Sequence, residues 1–150
     1  MEINKGLNDD KILVAGVIGI ASTVVGEICS WILLSFGIGT YSTYQINSLI
    51  VTYNKPSILV GLFLNLIMGG IIGAAVYLTL KKWGHDHIIM VSLGYTLVAW
   101  MFIEIIANGV VDKDLIATRV IGGYVNQFIS AVIHAVAKGL MLKWFIFNRS

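Results

Sequence analysis

Long apolar stretches alternate with short polar ones along this chain. Four apolar stretches are about 20 residues or longer, at approximately 12–36, 57–80, 88–107 and 120–147. An α-helix needs about 20 apolar residues to cross the hydrocarbon core of a bilayer, which is roughly 30 Å thick. The pattern therefore predicts an all-α membrane protein: four antiparallel transmembrane helices that form a single transmembrane domain over residues 1–150.

The composition agrees with this pattern and excludes a soluble protein. Apolar residues make up 57% of the 150-residue chain and charged residues 12%, whereas a globular domain carries about 25% charged residues. So few charges do not cover a water-facing surface. The net charge is +2, so we expect the lipid bilayer as partner and no nucleic acid.

Basic residues in the loops predict the orientation of the spans. Both termini and the loop between the second and third spans carry Lys5, Lys11, Lys81, Lys82, Lys143 and Arg149. The opposite side carries Lys55, Lys113 and Arg119. Because Lys and Arg are enriched in cytoplasmic loops, we expect both termini in the cytoplasm. The Ile, Asn and Lys usage hints at a bacterial host, so the predicted location is the cell inner (cytoplasmic) membrane.

Each span carries a stripe of small or polar residues at four-residue spacing, which places them on one helix face. Small residues let helix backbones approach in lipid, and polar side chains hydrogen-bond across helices. We call these stripes packing seams and expect them to point inward or toward a second copy of the chain. On the second and fourth spans the packing seams include Gly61, Gly69, Gly73, Asn126, Gln127 and Ser130. The run Gly61–Gly73 fits a homodimer face and packing within one chain equally well.

Ionisable residues inside the spans predict a polar layer. Glu27, Asn65 and Glu104 each lie about 22–24 Å from the cytoplasmic end of their span at a rise of roughly 1.5 Å per residue. Ser130 and His134 bracket the same level on the fourth span. Ionisable groups within spans often mark substrate or proton pathways. We therefore predict an ion or proton pathway at Glu27, Asn65, Glu104 and His134.

Simpler roles stay open for several of these residues. A position near the outer interface, where water reaches the carboxylate, explains Glu104 at least as well as a functional role does. For His134 a structural hydrogen bond to a Glu or Asn of another helix is the favoured role. For Lys138 we favour snorkelling, in which the long side chain carries its charge to the cytoplasmic interface.

The loops and the remaining polar residues indicate no catalytic chemistry. No arrangement of nucleophile and base, metalloprotease motif or phosphate-binding loop occurs, so we expect no enzyme activity, no catalytic residue and no cofactor. His85, Asp86 and His87 are adjacent, and three adjacent residues rarely converge on one ion, so a solvated turn is favoured over a metal site. The stretch Ile46–Tyr53 is apolar enough to lie on the membrane surface or to fold back over the bundle.

The second and fourth spans align at an offset of 62 residues, with Gly61 on Gly123 and Asn65 on Gln127. The first and third spans each carry a Glu near the outer end. This favours a repeat of two parallel helical hairpins, a style known among transporters. Chance similarity explains the alignment equally well, because membrane helices share composition.

Three stretches resemble small uncharacterised four-helix bacterial inner-membrane proteins of the YagU/YqhR type. They are Asn65–Ala74, Gly94–Trp100 and His134–Gly139. The resemblance implies a His early in the second span, where this chain has Asn65, and a Pro after the third span, which this chain lacks. It implies a fold and no activity.

Two functions fit these features. The first is an oligomeric carrier or channel for protons, ions or a small solute, with Glu27 as the binding group. The second is a non-catalytic membrane subunit or scaffold of a larger complex, in which the packing seams only hold helices together. Four short helices leave little room for a private pore, so we expect a homo-oligomer or a larger membrane complex.

Overall fold

The computed structural model describes residues 3–53, 55–110 and 121–148. Over these residues the protein is all-helical, as predicted, and contains no strand. The helices are α1 (Ile3–Ser35), α2 (Thr43–Thr52), α3 (Ile58–Trp83), α4 (Ile88–Val110) and α5 (Ile121–Leu142), and a π-helical turn (Lys143–Phe147) continues α5.

Four helical segments are long and apolar enough to cross a membrane. They are Asp10–Ser35, Ile58–Trp83, Ile88–Gly109 and Ile121–Phe147, and they agree with the predicted spans to within a few residues. Large apolar side chains such as Leu13 and Phe63 are more than half exposed on their outer faces. Such faces suit acyl chains, and the chain is a polytopic membrane protein.

The four long helices form an incomplete ring. Helix α1 packs against α3 on one side and α5 on the other, and α5 packs against α4. Helices α3 and α4 close the ring poorly, because they pack against each other far less than the other neighbouring pairs do. The short helix α2 contacts both α3 and α4 and bridges this gap at one end.

Glycines bring the backbones of α1 and α3 into direct contact. A Cβ atom on Gly19 would lie 2.9 Å from the Cα atom of Gly73, and one on Gly69 would lie 2.8 Å from the Gly19 carbonyl oxygen. In lipid, such close approach replaces the hydrophobic drive that holds soluble helices together. The glycines of the packing seam are therefore used within the chain.

The bundle is apolar at one end and polar at the other. Near the α3–α4 turn, an apolar core is formed by Ala15, Ile18, Val76, Tyr77, Leu80, Ile88, Leu142 and Ile146. At the opposite end, α2 lies among buried polar side chains that include Glu27, Ser30 and Asn126. This polar half coincides with the level of the predicted polar layer.

Helix α2 folds back over the bundle, which is one of the two arrangements expected for this stretch. Its Tyr44, Ile46 and Leu49 side chains are buried. The helix begins in a capping box: the Ser42 hydroxyl accepts from the Gln45 backbone N–H, and the Gln45 side chain accepts from the Ser42 N–H. Such reciprocal bonds fix the start of a helix.

The α1–α3 contact predicts different effects for two adjacent glycines. We expect Gly69→Ala to lower the free energy of unfolding by about 1–3 kcal/mol, because the added methyl meets the α1 backbone in a closely packed interface. In Gly70→Ala the methyl would lie 3.6 Å from the Ile20 side chain, an ordinary contact, so we expect no loss. Reversible denaturation of the purified variants in detergent measures both, and equal stabilities would contradict the assigned contact.

Candidate functional site

A small cavity with several polar side chains in its wall lies where the four long helices and α2 meet. Its volume is about 60 Å³, which is room for a few water-sized groups. Every helix contributes to its wall. The lining residues are Thr23, Gly26, Thr43, Asn47, Asn65, Met68, Gly69, Ile72, Thr96, Ala99, Trp100, Ile103, Gln127, Ser130, Ala131 and His134.

Four buried polar atoms of the described residues have no hydrogen-bond partner, and all four belong to side chains that line this cavity. They are Thr43 Oγ1, Trp100 Nε1, Gln127 Nε2 and His134 Nε2. Buried polar atoms are nearly always hydrogen-bonded, so each exception calls for an explanation. Their convergence on one cavity indicates a place where a polar guest completes the hydrogen bonding.

Two of these atoms act as donors under all ordinary conditions. The Trp100 indole nitrogen donates and does not accept, and the Gln127 amide nitrogen carries two donor hydrogens. Trp100 is held edge-on against the Phe128 ring at a centroid distance of 5.5 Å. Gln127 is only 2% exposed. The cavity wall therefore offers fixed hydrogen-bond donors to whatever it binds.

Lys138 lies one helical turn below His134 on α5 and is fully buried. Its Nζ donates to Thr96 Oγ1 at 3.0 Å, and Thr96 lines the cavity. The expectation that Lys138 snorkels to the interface is wrong. The packing of α5 against α4 encloses the side chain, and the Thr96 hydroxyl holds its ammonium inside the bundle.

Glu27 is 8% exposed, and it ties α1 to the start of α2. Its Oε2 accepts from the Tyr44 backbone N–H at 2.9 Å, and its Oε1 accepts from Trp31 Nε1 at 2.8 Å. A carboxylate is stabilised at a helix N-terminus, where unpaired backbone N–H groups point outward. The charge of Glu27 is therefore compensated by α2 itself.

Ser30 and Asn126 complete the attachment of this segment. The Ser30 hydroxyl accepts from the Thr43 backbone N–H at 3.0 Å and donates to Asn126 Oδ1 at 2.7 Å. Asn126 Nδ2 donates to the carbonyl oxygens of Ser30 and Ile38. This network joins α1, the loop before α2 and α5.

Two further contacts hold α2 over the cavity. Asn47 Nδ2 donates to Asn65 Oδ1 at 2.9 Å, and Asn65 Nδ2 donates to the Gly61 carbonyl oxygen at 2.7 Å. The Tyr44 hydroxyl lies 3.0 Å from Thr23 Oγ1. Because Thr23 already donates its own proton to the Ile20 carbonyl, Tyr44 is the donor of this bond.

The Tyr44 phenol is held in its neutral form. Burial raises its pKa, and the Glu27 carboxylate raises it further, while the hydrogen bond with Thr23 acts in the opposite direction. A neutral phenol keeps the proton that it donates to Thr23.

The structure brings together only part of the predicted pathway. Asn65 and His134 line the cavity, whereas Glu27 and Glu104 do not, although both carboxyl groups are buried. His134 Nε2 does not form the expected bond to a Glu or Asn within the described residues. An ion or proton pathway through the two glutamates stays a prediction.

The packing-seam residues of α3 and α5 lie inside the bundle, including Gly61 against the Tyr44 backbone and Gln127 and Ser130 at the cavity. His85, Asp86 and His87 are exposed, and His85 stacks on Phe147 at a centroid distance of 5.4 Å. No group of three or more His, Cys, Asp or Glu residues suited to a metal occurs in the part of the chain that the structure describes.

Sequence reasoning did not assign Thr43, Trp100 or Lys138 to the site. Trp100 carried a signal, since it interrupts the small and polar stripe of the third span. Lys138 carried a signal as well, because it follows His134 by one turn. Thr43 lies outside the spans, and its place over the cavity depends on the fold of α2.

No family model, curated protein or solved structure matches this chain. The resemblance to YagU/YqhR-type proteins therefore stays a prediction, and the functional argument depends on the geometry of the cavity.

The bonds of Glu27 predict the effect of its neutral isostere. In Glu27→Gln one acceptor oxygen becomes an NH₂ group that faces a donor. Since a hydrogen bond to a charged group contributes about 1.5–3 kcal/mol, we expect amide exchange in peptides covering residues 42–52 to accelerate about tenfold or more. Hydrogen–deuterium exchange by mass spectrometry measures this.

Asp86→Asn is the matched control, because Asp86 is an exposed carboxylate of the α3–α4 turn. The same substitution there should leave α2 unchanged. Unaltered exchange of α2 in the Glu27 variant would show that the carboxylate does not hold this helix.

Proposed function

We propose that this protein binds a small polar solute in the cavity and carries or conducts it across the membrane. The observation that supports this most directly is the convergence of four unpartnered buried polar atoms on one cavity within a membrane-spanning bundle. Polar sites near the middle of membrane bundles are where transporters hold their substrates. The binding wall belongs to one chain, so each copy carries its own site.

Paths to the cavity are suggested by the weak contact between α3 and α4. Met68 lines the cavity and is 39% exposed on the outside of the bundle. At the α2 end, Thr43 and Asn47 cover the cavity. Movement of α2 on its hydrogen-bonded supports would open this end to solvent, as gating elements do in carriers.

We propose that the helices alternate in direction, with both termini in the cytoplasm of a bacterial cell and the protein in its inner membrane. The contacts of α1 with α3 support the alternation, because Ala15 meets Gly73 whereas Thr23 meets Gly69. The excess of Lys and Arg at the α3–α4 turn and the termini supports the orientation. In this proposed orientation, α2 and the polar half of the bundle lie on the outer side of the membrane.

A repeat of two hairpins is supported by the register of their contacts. In the first hairpin Ala15 meets Gly73. In the second, Ser92 Oγ donates to the Ala135 carbonyl at 2.8 Å. Ser92 and Ala135 correspond to Ala15 and Gly73 at the offsets that align the two glutamates and the second and fourth spans. Residues at corresponding positions thus meet in both hairpins, through a backbone contact in the first and a side-chain hydrogen bond in the second.

Filling the cavity should abolish permeation. We expect liposomes that contain the protein to take up at least one small polar solute faster than protein-free liposomes, in stopped-flow swelling assays with a panel of uncharged solutes and salts. Ala99→Leu, which places a larger side chain in the cavity, should return the rate to that of protein-free liposomes.

Gly94→Leu is the matched control on the same helix, because a side chain at Gly94 meets open space. It should keep the wild-type rate. If every solute in the panel crosses protein-containing and protein-free membranes equally fast, the transport proposal fails.

A scaffold or non-catalytic subunit is the second candidate, and the role of Glu27 favours it. Its carboxylate is engaged by Trp31 and the α2 backbone, as an assembly contact would be. Native mass spectrometry of protein extracted gently from its own membrane separates the two. We expect a homo-oligomer without other subunits, and a stoichiometric companion protein would favour the scaffold.

A further inference from the structure

We infer that the cavity selects a small monovalent anion, with Trp100 and Gln127 as its hydrogen-bond donors and with the Lys138 amino group, which bonds to the lining residue Thr96, as the nearby positive charge. This inference rests on the proposed solute site and names the class of its substrate. An anion is the opposite of the cation or proton that the buried glutamates alone suggest.

The hydrogen-bond donors of the cavity wall favour an anion. Trp100 Nε1 and Gln127 Nε2 are donors without partners among the described residues, and neither atom accepts a hydrogen bond. A metal cation or an ammonium ion placed between them would meet positive hydrogens. An atom with lone pairs and negative charge satisfies both.

A buried positive charge lies behind the cavity wall. Lys138 is fully buried, and no carboxylate pairs with it in the part of the chain that the structure describes. An ammonium group has three N–H bonds, and Lys138 uses one of them on Thr96 Oγ1. A buried cation without a counter-charge is costly in a membrane, and an anion bound next to Thr96 supplies that charge.

The buried carboxylates of the described residues lie away from the cavity wall. Glu27 does not line the cavity, and its oxygens are occupied by the Trp31 and Tyr44 N–H groups. Glu104 also lies outside the lining. No carboxylate of the described residues therefore lines the cavity, and the described part of the wall does not repel an anion.

Size restricts the anion further. A cavity of about 60 Å³ admits an ion of a few heavy atoms, such as formate, nitrite or a halide. Formate is a useful probe because formamide has nearly the same shape without the charge.

The test is equilibrium binding of [¹³C]formate to the full-length protein in detergent, followed by NMR line broadening and repeated with [¹³C]formamide. We expect saturable formate binding and at least about tenfold weaker formamide binding. Lys138→Met removes the positive charge, and charge-assisted hydrogen bonds are about twice as strong as neutral ones. We therefore expect formate binding to weaken about tenfold to a hundredfold. Lys138→Arg keeps the charge on a larger and planar group, so it should retain more formate binding than Lys138→Met does.

Two further variants keep the test decisive. Lys82→Met removes a lysine that is exposed and should leave binding unchanged. Gln127→Glu keeps the side-chain shape, replaces the donor by a carboxylate and should weaken binding as much as Lys138→Met does. It gives the answer if the Lys138 variant does not fold.

The outcomes separate this inference from the proposed function. Equal binding of formate and formamide, or undiminished formate binding by both Lys138→Met and Gln127→Glu, would overturn the anion site. Uptake of an uncharged solute by liposomes together with no formate binding would leave transport standing and refute the anion. Formate binding without any uptake would support the anion site and refute transport.

Discussion

A polar group inside a bilayer has to find its hydrogen-bond partner within the protein, because lipid offers none. This constraint accounts for the polar half of the bundle. Ser30, Asn126 and Glu27 are buried, and each bonds to a backbone or side-chain group of another segment. The start of α2 is the centre of these bonds, so a helix that does not span the membrane organises the spans around it.

The glycine contact between α1 and α3 has the opposite chemistry and an equally large effect. It brings two backbones together without polar side chains, and it fixes α1 between α3 and α5. Near the α3–α4 turn, apolar side chains fill the bundle. Further along, α3 and α4 diverge, and the space between them becomes the cavity. The position of the cavity thus follows from where the close packing ends.

The sequence was sufficient for the spans, because length and hydropathy decide which helices cross a bilayer. Four-residue spacing and helical rise predicted Glu27, Asn65 and His134 at related depths, and of these Asn65 and His134 line the cavity. The sequence did not reveal which group each polar side chain bonds to. The partner of Glu27 is the backbone of α2, and periodicity along one helix does not reveal a contact with another element.

Helix α2 and Lys138 also show that sequence patterns do not reveal tertiary contacts. The sequence carries the Ser42 and Gln45 pair of a capping box, so the start of α2 was available as a signal, whereas its burial depends on the gap between α3 and α4. For Lys138, snorkelling is the general behaviour of lysine near a helix end. The Thr96 hydroxyl and the close packing of α5 on α4 override it, and both are tertiary facts.

Glu27 and Lys138, two of the buried charged residues, differ in how fully their charges are compensated, and this difference underlies the inferred anion site. Glu27 receives two N–H groups, one of them at a helix N-terminus, so its charge is used to hold the fold. Lys138 receives one hydroxyl oxygen and keeps hydrogen-bonding capacity next to a wall that also carries unpartnered donors. Because the charge of Glu27 is compensated within the described residues and that of Lys138 is not, the ligand that suits the inferred site is a hydrogen-bond acceptor with negative charge.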